Sequence, residues 1–209
     1  MSNQQVKQHS KTAAKKRDIL KKALGCFSTH GVAGTTIEMI CQETGTSVGS
    51  LYHHFGNKEA IASAVYIEGL NDFGSLAVRY LTELEAKQLS LEEKAEQAIK
   101  VMVYANVDWI SENQDWARFI FQHRQVVREG KGAGVLKDNL STFYKKLIDY
   151  KRPMVDAGLL KDWPIEMFSA FISGPVHDYA RHYLAGRYSD LLSDYREELA
   201  EGAWRALKG

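Results

Sequence analysis

"TSVGSLYHHFGNK", residues Thr46 to Lys58, places a serine where it would cap a helix and then fills that helix poorly. Position 49 is glycine, where alanine would be cheaper by about 1 kcal/mol, and Tyr52, His53 and His54 stand side by side. At roughly 100° per residue, Leu51 and Phe55 share one face with Val48 at its margin, while Gly49 and His53 fall opposite, flanked by Ser50 and Tyr52. One side is anchored, and the other is offered to something outside the helix. Upstream, Gly45 turns the chain, and a second helix runs through Ile37, Ile40 and Cys41. Its start is marked twice. Thr35 to Glu38 fits the T-x-x-E capping box and Thr36 is equally placed to cap, so one threonine caps and the other is left to face outward. A first helix carries Ile19, Leu20, Ala23, Leu24 and Phe27 at three-to-four spacing, with Gly31 as its stop.

Two short helices across a tight glycine turn, braced by a longer one, define a helix-turn-helix in which Val48 to His54 would enter the major groove of DNA. Glycine at 49 would let the backbone come close to the groove, and Val48 and Ser50 are short enough to meet base edges or a thymine methyl. "GVAGTTIEMICQETGTSVGSLYHHFGNKEAI" also resembles the signature of the tetracycline-repressor (TetR) family of bacterial transcriptional regulators, with its T-T-x-x-x-I-A, G-x-S-x-G-x-L-Y-x-H-F and N/S-K-E-x-L elements. The resemblance covers residues 15–65, with Cys41, Met39 and Thr46 as departures. It implies that Tyr52 and His54 touch phosphates, that Lys58 reaches another, and that Thr36 contacts one at the start of the second helix. Ser47, Val48, Gly49 and Ser50 complete the expected surface. His53, between the matched positions, is a candidate for base readout or a further phosphate contact.

Charge supports a polyanion partner. Residues 1–58 hold eight basic and three acidic groups, a balance of +5, so the remainder carries −4 of the net +1. A solvated lysine-rich helix end would give the same count. With 44% hydrophobic and 25% charged residues, and no apolar run approaching the ~18 residues of a span, the composition is that of a globular protein with no membrane partner. The opening MSNQQVKQHSKTAAKKR is basic with no apolar stretch behind it, which excludes a secretory signal and leads to an expectation of a cytoplasmic protein. Cys26 and Cys41 sit in apolar patterns and read as reduced core thiols, with a redox sensor as the alternative.

Helical periodicity runs through the whole chain, so the expected fold is all-α: a DNA-binding domain over residues 1–60 with a basic arm, then a helical effector-binding and dimerisation domain over 61–209. The body reads as helices from Lys58 to Ala86, from a Ser90 cap to Glu112, and from Asp115 to Val127. After the loop "REGKGAG", a helix from Leu136 to Tyr150 is interrupted or kinked at Arg152-Pro153. Helices over Pro164 to Gly186 and Ser189 to Leu207 close the chain. Their apolar stripes suit internal packing or a partner helix. The family resemblance implies that these last two helices form a homodimer, and two-fold symmetry would double the contacts of a short reading helix.

An aromatic set could line an effector pocket: Tyr104, Trp109, Trp116, Phe119 and His123, faced by Tyr144, Phe168, Phe171 and His177. A filled core would show the same spacing. Read as a pocket, it suits a hydrophobic or aromatic small molecule. No metal site is expected, because His53 and His54 point about 100° apart and His177 and His182 are five residues apart. No phosphate loop, nucleophile elbow or cysteine cluster appears, so neither a cofactor nor catalytic residues are expected. A helical protein-interaction module and a small-molecule enzyme are the rival readings.

Overall fold

The computed structural model describes the backbone of residues 3–129 and 133–209, with side chains over 14–124 and 134–209. The N-terminal half of the basic arm, with Lys7 and Lys11, and most of the loop "REGKGAG" lie outside the described side chains. The architecture is all-α. Among the described residues the extended backbone amounts to one antiparallel bridge, Leu160 with Lys208.

α1 (Asn3–Gly34) buries Ile19, Leu20, Ala23, Leu24 and Phe27, the stripe that the spacing defines. Gly31 leaves the helical region at φ 69°, so the regular helix stops where the sequence says it should. α2 (Ile37–Thr44) ends on Gly45 in the left-handed region at φ 65°. α3 (Val48–Phe55) opens on Ser47, whose Oγ accepts from the Ser50 N–H at 3.3 Å.

The threonine pair divides differently from the expectation of one cap and one outward residue. Thr36 is the cap, accepting the Met39 N–H at 3.2 Å, while the Met39 sulfur accepts from the Thr36 N–H at 3.4 Å. Thr35 does not face outward. It is 1% exposed, and its hydroxyl bonds the Gly31 carbonyl at 2.7 Å and the Cys26 carbonyl at 3.2 Å. These carbonyls satisfy a buried hydroxyl, and the Gly31 carbonyl also accepts the Thr35 N–H at 3.1 Å.

α4 (Lys58–Glu85) and α5 (Leu91–Glu112) follow the predicted spans, α5 with a full capping box between Ser90 and Glu93. α6 (Gln114–Glu129) is bent at His123, where φ is −112° and ψ 16°. α7 (Ala133–Asp156) contains Pro153 and continues about one turn beyond it rather than being interrupted there. α8 (Ile165–Leu184) starts directly after Pro164. The last helix is shorter than the pattern from Ser189 suggests. A 3-10 turn at Leu192–Tyr195 comes first, because Asp194 bonds the Leu191 N–H at 3.3 Å, and α9 spans Arg196–Leu207.

The described chain falls into two compact units, Met1–Leu70 with Asp115–Leu136, and Asn71–Gln114 with Lys137–Gly209. The first compact unit runs past the expected boundary at residue 60 to Leu70 and takes in α6 from Asp115. In the first unit Phe27 stacks on Phe119 at 5.7 Å, Phe119 stacks on His123 at 4.3 Å, and Trp116 donates its indole N–H to the Val65 carbonyl at 2.8 Å. Gly69 exists for that packing: a Cβ there would collide with the Trp116 ring and lie 2.9 Å from Ile120 Cδ1. In the second unit α5 packs on α8 and α9 through Val103, Val107, Val176, Ala200 and Leu207, all buried. Arg196 clamps Asp108 with two bonds of 2.8 and 2.9 Å and lies over the Tyr104 ring at 3.6 Å.

Candidate nucleic-acid interface

The reading helix is fixed from behind. Leu51 is 1% exposed and Phe55 half-buried, with Ile40 of α2 fully enclosed behind them, so one face of α3 is held by the burial of apolar side chains at roughly 1.5–3 kcal/mol each. The other face is solvent. Val48 and Tyr52 are 41% and 52% exposed, and Ser47, Gly49, His53 and His54 are exposed with them, while Ser50 is half-buried. The Tyr52 hydroxyl and the His53 and His54 imidazoles have no hydrogen-bond partner among the described residues. The two imidazoles sit edge to face with centroids 5.5 Å apart. Donors are thus available where an anion would need them.

Gly49 has no internal explanation. Its backbone is helical rather than left-handed, and a Cβ built on it would find nothing within 4 Å among the described residues. Neither strain nor packing among the described residues asks for glycine at this position.

Thr36 is exposed at the N-terminus of α2, where the helix dipole favours an anion. Glu38 beside it has its carboxyl held below the usual range, first by a backbone N–H and then by the Thr36 hydroxyl. Lys58 is engaged with the protein: its ammonium donates to the Ala33 carbonyl at 3.1 Å and the Thr35 carbonyl at 2.9 Å. Sequence reasoning missed this tie between the start of α4 and the end of α1. One of the three ammonium protons is still available to a phosphate. Lys15, Lys16, Lys21 and Lys22 are exposed along α1, and Arg17 pairs with Glu68 at 3.5 Å.

The cysteines carry no sign of reactivity. Cys26 is buried and Cys41 half-buried, both are free, and burial raises both thiols, assisted by the charges of Glu43 and Glu38 respectively. No group of three or more His, Cys, Asp or Glu that could hold a metal ion occurs among the described residues. Nor is any described helix long and apolar enough to cross a membrane.

The aromatic set expected to face one pocket is divided between the units. Trp116, Phe119 and His123 belong to the packing of the first, where His123 also bonds the Phe119 carbonyl through Nδ1 at 3.0 Å. Tyr104, Trp109, Tyr144, Phe168, Phe171 and His177 belong to the second. There the Trp109 indole donates to Asp72 at 2.9 Å, Tyr104 donates to Glu197 at 2.7 Å, and His177 Nε2 meets the Asn106 side-chain oxygen at 3.1 Å. Phe168 is buried under the Lys151 ammonium, and Phe171 stacks on Trp163 at 5.8 Å. Tyr144 is half-buried on α7. Burial and the Glu197 carboxylate push the Tyr104 phenol up to about 12.

A capped, apolar-backed two-turn helix that presents hydroxyl, imidazole and glycine to solvent beside a lysine-bearing helix has the form of a helix-turn-helix head. Residues 19–65 match the profile of the tetR family of bacterial regulatory proteins. It is 40% identical over 50 residues, 24% of its length, to the HTH-type transcriptional repressor AcnR of Corynebacterium efficiens, and covers 27% of that protein. It is 32% identical over 149 residues, 71% of its length, to the HTH-type transcriptional regulator RutR of Escherichia coli O157:H7, and covers 63% of it. In fold it is similar to a TetR family transcription regulator from Marinobacter aquaeolei VT8, with a TM-score of 0.71, 16% identity, and coverage of 96% of this chain and 98% of the other. The chain thus spans about a quarter of AcnR and under two thirds of RutR. By name these relatives are regulators of transcription.

Proposed function

We propose that the protein is a ligand-responsive transcriptional repressor that binds a pseudo-palindromic operator in double-stranded DNA as a homodimer. The observation that carries this reading is the outward face of α3, where exposed Val48, Tyr52, His53 and His54 surround a glycine that no contact among the described residues requires. Tyr52, His54, Thr36 and Lys58 hold phosphates, Val48, Ser50 and His53 meet base edges, and Ser47 fixes the start of the helix. The likeness to the repressor AcnR over the reading head supports repression, achieved by occluding a promoter.

Dimerisation through α8 and α9 is supported by the outward face of α8. Met167, Ala170, Gly174 and Pro175 are exposed at helical spacing, and small residues let a second helix come close. The proposed effector is a mostly apolar small molecule held in the second unit, with the His177–Asn106 pair as a polar handle. Thermal shift across a panel of apolar compounds, read together with operator affinity, tests that part.

The test of the whole is an electrophoretic shift with the protein's own upstream region, followed by anisotropy titration of variants. Tyr52→Ala should weaken binding to every sequence, whereas His53→Ala should change which sequence is preferred. A Tyr52→Ala protein that binds its operator as tightly as the parent would overturn the reading.

A further inference from the structure

The turn between α8 and the 3-10 segment gathers three tyrosines into an open cleft of about 300 Å³, lined by Tyr179, Tyr188 and Tyr195 with Arg187, Ser189 and Asp190. Tyr179 is central. Its ring lies 5.0 Å from Tyr188 and 5.3 Å from Tyr195, tilted by 46° and 59°, so the rings form a corner rather than a stack. The imidazole of His182 closes the far side of Tyr188 at 5.1 Å.

The corner is built, not incidental. Gly186 turns the chain at φ 69°, with its N–H on the Tyr183 carbonyl at 2.9 Å and the Arg187 N–H on the His182 carbonyl at 3.0 Å. The Tyr179 hydroxyl donates to the Asp190 backbone carbonyl at 3.1 Å, and the Tyr195 hydroxyl to the Asp190 carboxylate at 2.8 Å. Both rings are therefore locked to the loop that they help to line.

Charge tells what such a corner would take. Asp190 accepts from the Ser189 and Tyr195 hydroxyls, and Asp194 from the Leu191 N–H; among the described residues neither is paired with a cation. Asp178 is neutralised by Arg181 at 2.8 Å, and the Arg187 guanidinium is turned to His182 Nδ1 at 3.3 Å. Two carboxylates without an ion-pair partner among the described residues outnumber the one Arg187 guanidinium that also lines the cleft, and beside three electron-rich rings they make it attractive to positive charge. The Tyr195 phenol is pushed up to about 12, first by its bond to Asp190, and the Tyr179 phenol is raised by burial and by the charges of Asp190 and Asp194.

We propose that this tyrosine corner binds a small organic cation of the quaternary-ammonium class, through the rings of Tyr179, Tyr188 and Tyr195 and the carboxylate of Asp190. A diffuse cation with a greasy shell loses little hydration on entering and gains ring contact, which a hydrated sodium ion would not. The size of the cleft favours a free small molecule over a folded partner. The site is separate from the reading helix and does not depend on the DNA-binding assignment.

The test is calorimetric titration of the full chain with tetramethylammonium chloride against sodium chloride at equal ionic strength and against neutral tert-butyl alcohol. Saturable heat is expected for tetramethylammonium alone. Asp190→Asn and Tyr188→Leu should each weaken it by about three- to tenfold, with circular dichroism showing both variants folded. Tyr188 is 44% exposed, so its replacement leaves the core intact. A trimethyl-lysine peptide forms the second arm. Tighter binding of the peptide would overturn the assignment to a free small molecule. Absence of heat up to millimolar tetramethylammonium, equal binding of the neutral alcohol, or unchanged affinity in both variants would overturn the site itself.

Discussion

Gly49 and Gly69 are both glycines inside helices, and they answer opposite demands. Around Gly49 there is open space, so Gly49→Ala removes an entropic penalty and should stabilise the fold by about 0.5–1 kcal/mol in chemical denaturation. The same methyl stands on the face proposed to meet DNA, so operator affinity should fall while stability rises. A variant that gained stability with no loss of affinity would show that this face does not approach DNA closely. At Gly69 a Cβ meets the Trp116 ring, with Nε1 at 2.6 Å, and that ring is tied by its bond to the Val65 carbonyl. Gly69→Ala should therefore cost about 1–3 kcal/mol, read as a lower denaturation midpoint with unchanged slope. Sequence patterning located Gly49 because it interrupts a short capped helix. Gly69 gave no such signal, since its reason is a tryptophan 47 positions away in the chain.

Most helices were legible as elements, because their caps and stripes are local: Ser47, Ser90, Gly31 and Gly45 each act within one turn of the residue they serve. The exceptions are instructive. Thr35 and Thr36 could not be told apart, because the choice depends on the Cys26 carbonyl nine residues upstream. Pro153 looked like a break, yet α7 runs through it to Asp156. The bond from Tyr150 of α7 to Glu85 at the end of α4, 2.7 Å long, was likewise invisible in the sequence. Glu85 is held below the usual carboxylate range, first by the Tyr150 hydroxyl and then by Lys94. A depressed carboxylate stabilises the fold above its unfolded pKa, and the effect fades as pH falls through the folded value. Tyr150→Phe should thus cost about 1 kcal/mol at neutral pH, discounted for the exposure of Glu85, and the gap to the parent should narrow below about pH 4. Thermal melts at neutral and acid pH measure it.

For the molecule as a whole, the sequence carried the identity of the head and the all-α class, since both rest on periodicity and on a dense run of matching positions between Thr35 and Lys58. It did not carry the fate of the aromatic residues. Trp109 and Trp116 are seven apart in an apolar pattern, yet one indole serves Asp72 and the other Val65, in different compact units. Spacing says that a ring is inside and not what it touches. A proposal that two heads act together carries its own expectation. If a dimer neutralises about six to ten phosphates, operator affinity should drop by roughly three to five orders of magnitude between about 50 and 200 mM salt. Anisotropy across a salt series reads this directly, and sedimentation velocity gives the association state. A shallow salt dependence with a single sedimenting monomer would contradict the two-headed reading.

Cys26 lies at 7% exposure on the inner face of α1, one residue from Phe27, and its thiol is held protonated by burial. An alkylating reagent can reach it only when the head opens, whereas the half-buried Cys41 needs a smaller excursion. The pair therefore forms an internal clock of breathing motions. Under conditions where reclosing outruns modification, the labelling rate of Cys26 reports the free energy of opening the three-helix head, and that of Cys41 reports local fraying of α2. Mass spectrometry of the alkylated chain should find Cys41 modified first, and added denaturant should accelerate Cys26 more steeply than Cys41. Equal rates and equal denaturant slopes would mean that the head opens as one piece.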